Sequence, residues 1–133
     1  MKALKANIVK GLPVGAYVDT CDNSGAKTVK IYSVFGHKTR KGQKPAAGVS
    51  DLVMVAIKRG KPDVRKTVAF AIVVRQKKEW KRSNGMRVKF EDNAVVILKD
   101  EKGNPKGTIF KGPIAKEVAD RWPAVAKIAS MIV

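Results

Sequence analysis

Short β-branched and aliphatic runs, each closed off by turn residues, set the pattern of the first hundred positions. Residues 16–20, 28–35, 52–59, 67–75, 86–90 and 94–98 read as strands on this pattern. Met86, Val88 and Phe90 alternate with Arg87 and Lys89, the period of a half-buried strand with a basic outer face. Residues 52–57 and 94–98 are apolar at odd and even positions alike, which predicts cover on both sides. The separators are Asp22-Asn23-Ser24-Gly25, Asn84-Gly85 and Gly103-Asn104-Pro105. Asn84-Gly85 between residues 80–82 and 86–90 predicts a hairpin with a two-residue loop.

The last quarter changes period. After Gly112-Pro113, Ile114, Val118 and Arg121-Trp122 fall at helical spacing, which predicts a helix over 114–121. Pro123 stops it, and residues 124–130 suit a second short helix. With no repeat or linker, residues 1–133 read as one mainly β domain. Short strands without alternating helices point to a small closed barrel with helices packed at one end.

Composition fits that reading: 133 residues, 44% of them hydrophobic, are enough for one modest core. Charge narrows the function. Lys and Arg number 28 against 11 Asp and Glu, a net charge of +17. Residues 37–89 alone carry 16 basic and 3 acidic side chains, a net +13, against +3 for residues 1–36 and +1 for residues 90–133. Thermophile-style charging raises Glu together with Lys, and solubility needs mixed signs, so neither explains a local excess. A polyanion partner does. One Cys (Cys21) and one His (His37) build neither a disulfide framework nor a four-ligand zinc site. The longest apolar run, residues 68–74, is too short for a bilayer, and Lys5, Asn7 and Lys10 interrupt the first ten positions. The expectation is a cytoplasmic domain with no membrane partner, no cofactor and no metal.

Three patches carry the excess. Lys38, Arg40, Lys41 and Lys44 lie with Gly36, Gly42 and Pro45 in a basic loop. Lys58, Arg59, Lys61, Arg65 and Lys66 surround Gly60 and Pro62 in a strand connection. Arg75, Lys77, Lys78, Lys81 and Arg82 flank Trp80 on the approach to Asn84-Gly85. All three fall at strand ends, where a rigid barrel presents loops; Lys supplies point charges to phosphates and Arg a two-bond fork. Phe35, Phe70 and Phe90 read as core, leaving Trp80 as candidate base-stacking platform or, equally, as a packed hairpin residue. Many phosphate contacts and few stacks point to folded RNA read by shape.

No catalytic constellation is present. A Cys21–His37 dyad competes with Cys21 as a small buried hydrophobe and His37 as a phosphate or solvent contact. Asp19 and Asp22 are explained by turn formation, and no phosphate-cradling glycine loop with a following Lys-Ser/Thr occurs. Two other classes remain beside a structural RNA-binding protein. One is a free-standing single-strand binding barrel, which exposed aromatics on one sheet face would favour. The other is a small nuclease or RNA-modifying enzyme, which needs clustered carboxylates or a His–acid pair.

Ala71-Ile72-Val73-Val74, nine residues, Asn84-Gly85, then Phe90, Asn93 and Val96-Ile97 form a signature that resembles the universal large-subunit ribosomal protein fourteen family. Gly11-Leu12-Pro13-Val14-Gly15, Asp22-Asn23-Ser24-Gly25-Ala26-Lys27, Pro45-Ala46-Ala47-Gly48-Val49 and Phe90-Glu91-Asp92-Asn93-Ala94 extend the match. Gly112-Pro113-Ile114-Ala115-Lys116-Glu117, with Ala119-Asp120 and Trp122-Pro123, resembles its archaeal and eukaryotic branch. The resemblance implies a five-stranded, oligonucleotide-binding-like barrel (residues 11–106) with a hairpin extension and short C-terminal helices (residues 107–133). It implies that Lys27 and the three patches meet large-subunit rRNA. It also implies neighbouring ribosomal proteins, small-subunit rRNA at an intersubunit bridge, and an anti-association initiation factor docking near the C-terminal region, with no homo-oligomer. Phe110, Lys111, Lys116, Asp120 and Arg121 are the residues expected at those protein contacts, while Ile114 and Trp122 are expected to cap the core. Ile109-Phe110-Lys111 directly follow Gly107-Thr108, where bacterial members carry Gly-Thr-Arg-Ile-Phe-Gly-Pro, so the bacterial silencing-factor contact is not carried over. Residues 1–10 match no block, and their role stays open.

Overall fold

The computed structural model describes residues 2–4, 6–37 and 39–133. Five strands close into a barrel: β2 (Tyr17–Thr20), β3 (Ala26–Val34), β5 (Leu52–Gly60), β6 (Val68–Arg75) and β9 (Ala94–Leu98). Neighbours pair antiparallel except at the closure, where β9 returns parallel to β2 with Asp19 opposite Ala94. Two small ribbons stand off it, β1 (Leu12–Pro13) with β4 (Ala46–Ala47), and β7 (Trp80–Lys81) with β8 (Arg87–Val88). Helices α1 (Lys116–Arg121) and α2 (Pro123–Ile128) follow.

Alternation along the strands divides the apolar residues into two cores. Val29, Ile31, Val53, Val55, Ala71, Val73, Val95 and Ile97 point inward and fill the barrel. Ile72 and Val74 of β6, with Ala94, Val96 and Leu98 of β9, point outward beneath Ile114, Val118, Trp122 and Val125. Both faces of 94–98 are thus buried, as its uninterrupted apolar run requires. Strand β5 differs from expectation. Its inner face is buried, but outward Met54 and Ala56 are only half-covered, because the helical layer reaches Leu52 at the start of the strand and stops there.

The arm at the start of the chain joins the outer core. Ile8 is buried in it, Leu4 and Ala6 pack against it, and the Lys2 amide donates to the Arg121 carbonyl. The first helix is shorter than its spacing predicts, since Ile114 is extended: its N–H donates to Met131 O and its carbonyl accepts from Val133 N. Pro123, whose missing N–H is no loss at the first helical position, opens α2 as it ends α1. The hairpin also departs from expectation. Its loop has three residues, Ser83-Asn84-Gly85, closed by Arg82 N–H to Met86 O at 2.8 Å. Gly85 at φ 90° supplies the left-handed residue such a loop needs.

Candidate nucleic-acid interface

The β5–β6 connection is built from the inside out. Buried Val64 anchors it, Lys61 N–H donates to Gly25 O at 3.0 Å, and Arg65 N–H returns to Lys61 O at 2.9 Å. With its backbone so tied, the connection directs Lys58, Arg59, Lys61, Arg65 and Lys66 outward to solvent. Lys58, Arg65 and Lys66 line an open groove of about 560 Å³. On the neighbouring side Lys27 of β3, Lys61 and Lys111 line another of about 460 Å³. Lys66 (φ 66°) and Lys41 (φ 56°) both hold left-handed backbone, at a cost of about 1 kcal/mol each for a residue with a Cβ.

Arg40, Lys41 and Lys44 are exposed on the loop after β3; Lys38 lies outside the described residues. The base of this loop is fastened by His37, whose Nδ1 accepts the Ala46 N–H at 2.9 Å. Through Nδ1 the half-buried imidazole therefore clamps the loop. Lys77, Lys78 and Lys81 are exposed as well, Lys77 being fixed by its amide donating to Asn93 Oδ1 at 2.8 Å. Among the described residues, none of these exposed cations has a carboxylate within ion-pair distance.

Other expected contacts turn inward. Arg75 is buried, forks onto Asp92 through Nε (2.9 Å) and Nη2 (3.1 Å), and donates through Nη1 to the carbonyls of Lys111 and Pro113. Arg82 is half-buried and paired with Glu117. Trp80 is fully buried, stacked on Phe90 at 5.9 Å with its Nε1–H donated to Glu117, so it packs the hairpin and offers no platform. In the C-terminal set, Phe110 is buried opposite Asp22, and Arg121 reaches Asp51 at 3.4 Å, while Lys111, Lys116 and Asp120 are exposed. Ile114 and Trp122 cap the outer core.

The acidic and thiol groups serve the fold. Asp22 Oδ2 accepts the buried Ile97 N–H at 2.9 Å and Oδ1 accepts Ser24 Oγ at 2.8 Å; burial pushes its pKa above the usual carboxylate value despite these donors. Cys21 is buried, and its thiol is pushed up to about 11 by desolvation. Cys21 and His37 sit in separate environments, one in the outer core and one at the loop base. No group of three or more metal-ligating side chains gathers among the described residues.

Several determinants have no signal in the sequence. Gln76, fully buried, accepts Val49 N–H and donates to Val9 O and Lys78 O, tying the arm to the barrel. Asp51 gathers Lys10, the Gly48 amide and Arg121. Neither has a periodic signature. Exposed Tyr17 and Tyr32 were detectable: Thr28, Lys30 and Tyr32 alternate with Val29 and Ile31. Phe35, expected in the core, is also exposed, since it lies one step past the end of β3.

A closed five-stranded barrel with two short helices and basic loops is the architecture that the sequence motifs implied. Residues 11–133 match the model of the family described as Ribosomal protein L14p/L23e. The chain belongs to that family. It is 59% identical over 133 residues to the large ribosomal subunit protein uL14 of Nanoarchaeum equitans (strain Kin4-M), covering 100% of both chains. Identity is 48% to the proteins of that name from Methanococcus vannielii, over 99% of each chain, and from Halobacterium salinarum, over 100% of each. These relatives are archaeal, the branch that residues 112–123 resemble. The first and the third align along the whole chain, so the first ten residues have counterparts there.

Proposed function

We propose that this chain is a non-catalytic structural constituent of the large ribosomal subunit in the cytoplasm. Its relatives carry that subunit in their name, and the family is one of ribosomal proteins. Lys27 and the loops holding Arg40, Lys41, Lys44, Lys58, Arg59, Lys61, Arg65, Lys66, Lys77, Lys78 and Lys81 grip large-subunit rRNA at its phosphates. One observation carries this: exposed cations on tied loops of a closed barrel, without carboxylate partners among the described residues. A polyanion relieves their mutual repulsion and is held in register by the barrel. Arg75 and Arg82 position those loops from within.

The segment from residue 90 on has a net charge of only +1, which suits contact with protein better than with phosphate. Exposed Lys111, Lys116 and Asp120 face neighbouring ribosomal proteins, the small-subunit rRNA bridge and the anti-association initiation factor. The test replaces Arg40, Lys41 and Lys44 together with Ala and measures binding to large-subunit rRNA across a salt series. The slope of log affinity against log salt falls by roughly 0.7–0.9 for each phosphate left without its cation. An unchanged slope, or a chain that stays at the top of a sucrose gradient instead of travelling with the large subunit, overturns the reading.

A further inference from the structure

One side of the barrel is left bare. The helical layer covers β9, Ile72 and Val74 of β6 and Leu52 at the start of β5, and among the described residues no element lies over the outer face of β2, β3 and the rest of β5. That face is aromatic. Tyr17 is 61% exposed, Phe35 44% and Tyr32 42%. Register places them on one surface. Tyr17 stands opposite Lys30, which pairs with Ala56 and through it with Val68; the next row runs from Ser33 through Met54 to Phe70. Tyr32 keeps the outward parity of Thr28 and Lys30, the irregularity between Ile31 and Ser33 brings Ser33 to the same side, and Phe35 leans on Phe70 at 5.7 Å, tilted 36°.

Charge identifies the occupant. Lys30 Nζ lies 5.8 Å from the centre of the Tyr17 ring, and an open groove of about 470 Å³ floored by Met54, Val68 and Phe70 is rimmed by Lys99 and Lys106. Asp19 stands at the edge beside Thr28, and Asp100 is taken up by its own turn. The centres of protein–protein interfaces are depleted in lysine. Rings alternating with lysines on an open barrel face are the arrangement that holds single strands, each ring taking a base and each ammonium a phosphate.

We propose that this bare face binds unpaired nucleotides of RNA by base stacking, with Tyr17, Tyr32 and Phe35 as platforms and Lys30, Lys99 and Lys106 on the phosphates. The proposal rests on the ribosomal reading for its RNA and extends it from shape-read phosphates to single-stranded bases. It is tested with the full chain and a short oligouridylate, alongside large-subunit rRNA. Tyr32→Ala and Phe35→Ala each lower oligouridylate affinity by about 5- to 100-fold, with the salt slope unchanged, whereas Tyr32→Phe stays within about twofold of the parent. Emission from buried Trp80 and Trp122 reports that the variants are folded. Short-wave ultraviolet light on the intact subunit then links these rings to nucleotides. Alanine variants that bind oligouridylate like the parent, or crosslinks that run from these rings to a protein, overturn the proposal. Its failure is separable from failure of the ribosomal reading, since only the latter leaves the salt slope of the Arg40, Lys41 and Lys44 variant unchanged.

Discussion

Arg82 and Glu117 meet at 2.9 Å across 35 positions of sequence, joining the β7–β8 hairpin to the first turn of α1. The same carboxylate accepts the Trp80 indole N–H at 3.2 Å, and Arg82 reaches on to the Val133 carbonyl at 2.6 Å. A fully apolar hairpin base would pack as well but would not fix its angle; three directional bonds to one buried carboxylate do.

Glu117→Ala leaves a half-buried guanidinium and a buried indole N–H without their acceptor. We expect a loss of about 3 kcal/mol, read as a lowered urea midpoint, with Glu117→Gln losing less because it keeps one oxygen. An unchanged midpoint in the Ala variant would show that solvent replaces the carboxylate freely.

Gly15 and Gly103 share φ 97°, yet only Gly103 is crowded: a Cβ there lies 2.5 Å from Trp122 Cε3, whereas Gly15 has nothing within 4 Å. Ala at position 15 costs the backbone strain alone, about 1 kcal/mol. Ala at position 103 adds overpacking of about 1–3 kcal/mol against an indole that cannot retreat. Thermal melts of the two variants isolate the ring contact as their difference, and equal melting temperatures would refute it.

Asp22 has its folded-state pKa raised above the ordinary value of 3.8, chiefly by desolvation. A carboxylate raised in this way is a cost when ionised. As pH falls through its folded value the native state takes up the proton first, and wild type gains stability relative to Asp22→Asn. The gain is complete below the unfolded value near 3.8. Paired denaturation curves at neutral and acidic pH check the sign, and a difference independent of pH would remove burial as the cause.

Cys21, with a thiol near 11, has about one molecule in a thousand ionised at pH 8. It should react with an aromatic disulfide reagent only as fast as the outer core opens, and at once in denaturant. Rapid reaction of the native chain would place the thiol at the surface.

Strand existence was readable wherever one face had to be buried, and 94–98 was readable to the residue because both faces were. What the pattern did not carry was tertiary supply of cover. Residues 52–57 look as apolar as 94–98, yet the two short helices do not reach Met54 and Ala56. The basic patches were visible as charge, whereas the inward turn of Arg75 depends on Asp92 and on two carbonyls 36 and 38 positions away. The two-residue hairpin failed for a local reason: Asn-Gly also suits a three-residue loop whose last member is the left-handed glycine.

The parallel seam between β2 and β9 sets a timetable for synthesis. Asp19 is made well before its seam partner Ala94, with β3, β5 and β6 all coming between them. The inner core therefore stays unsealed during translation, and the cylinder locks in one late step. Until then the nascent segment bearing the +13 charge is carried on a sheet that is still open along one edge.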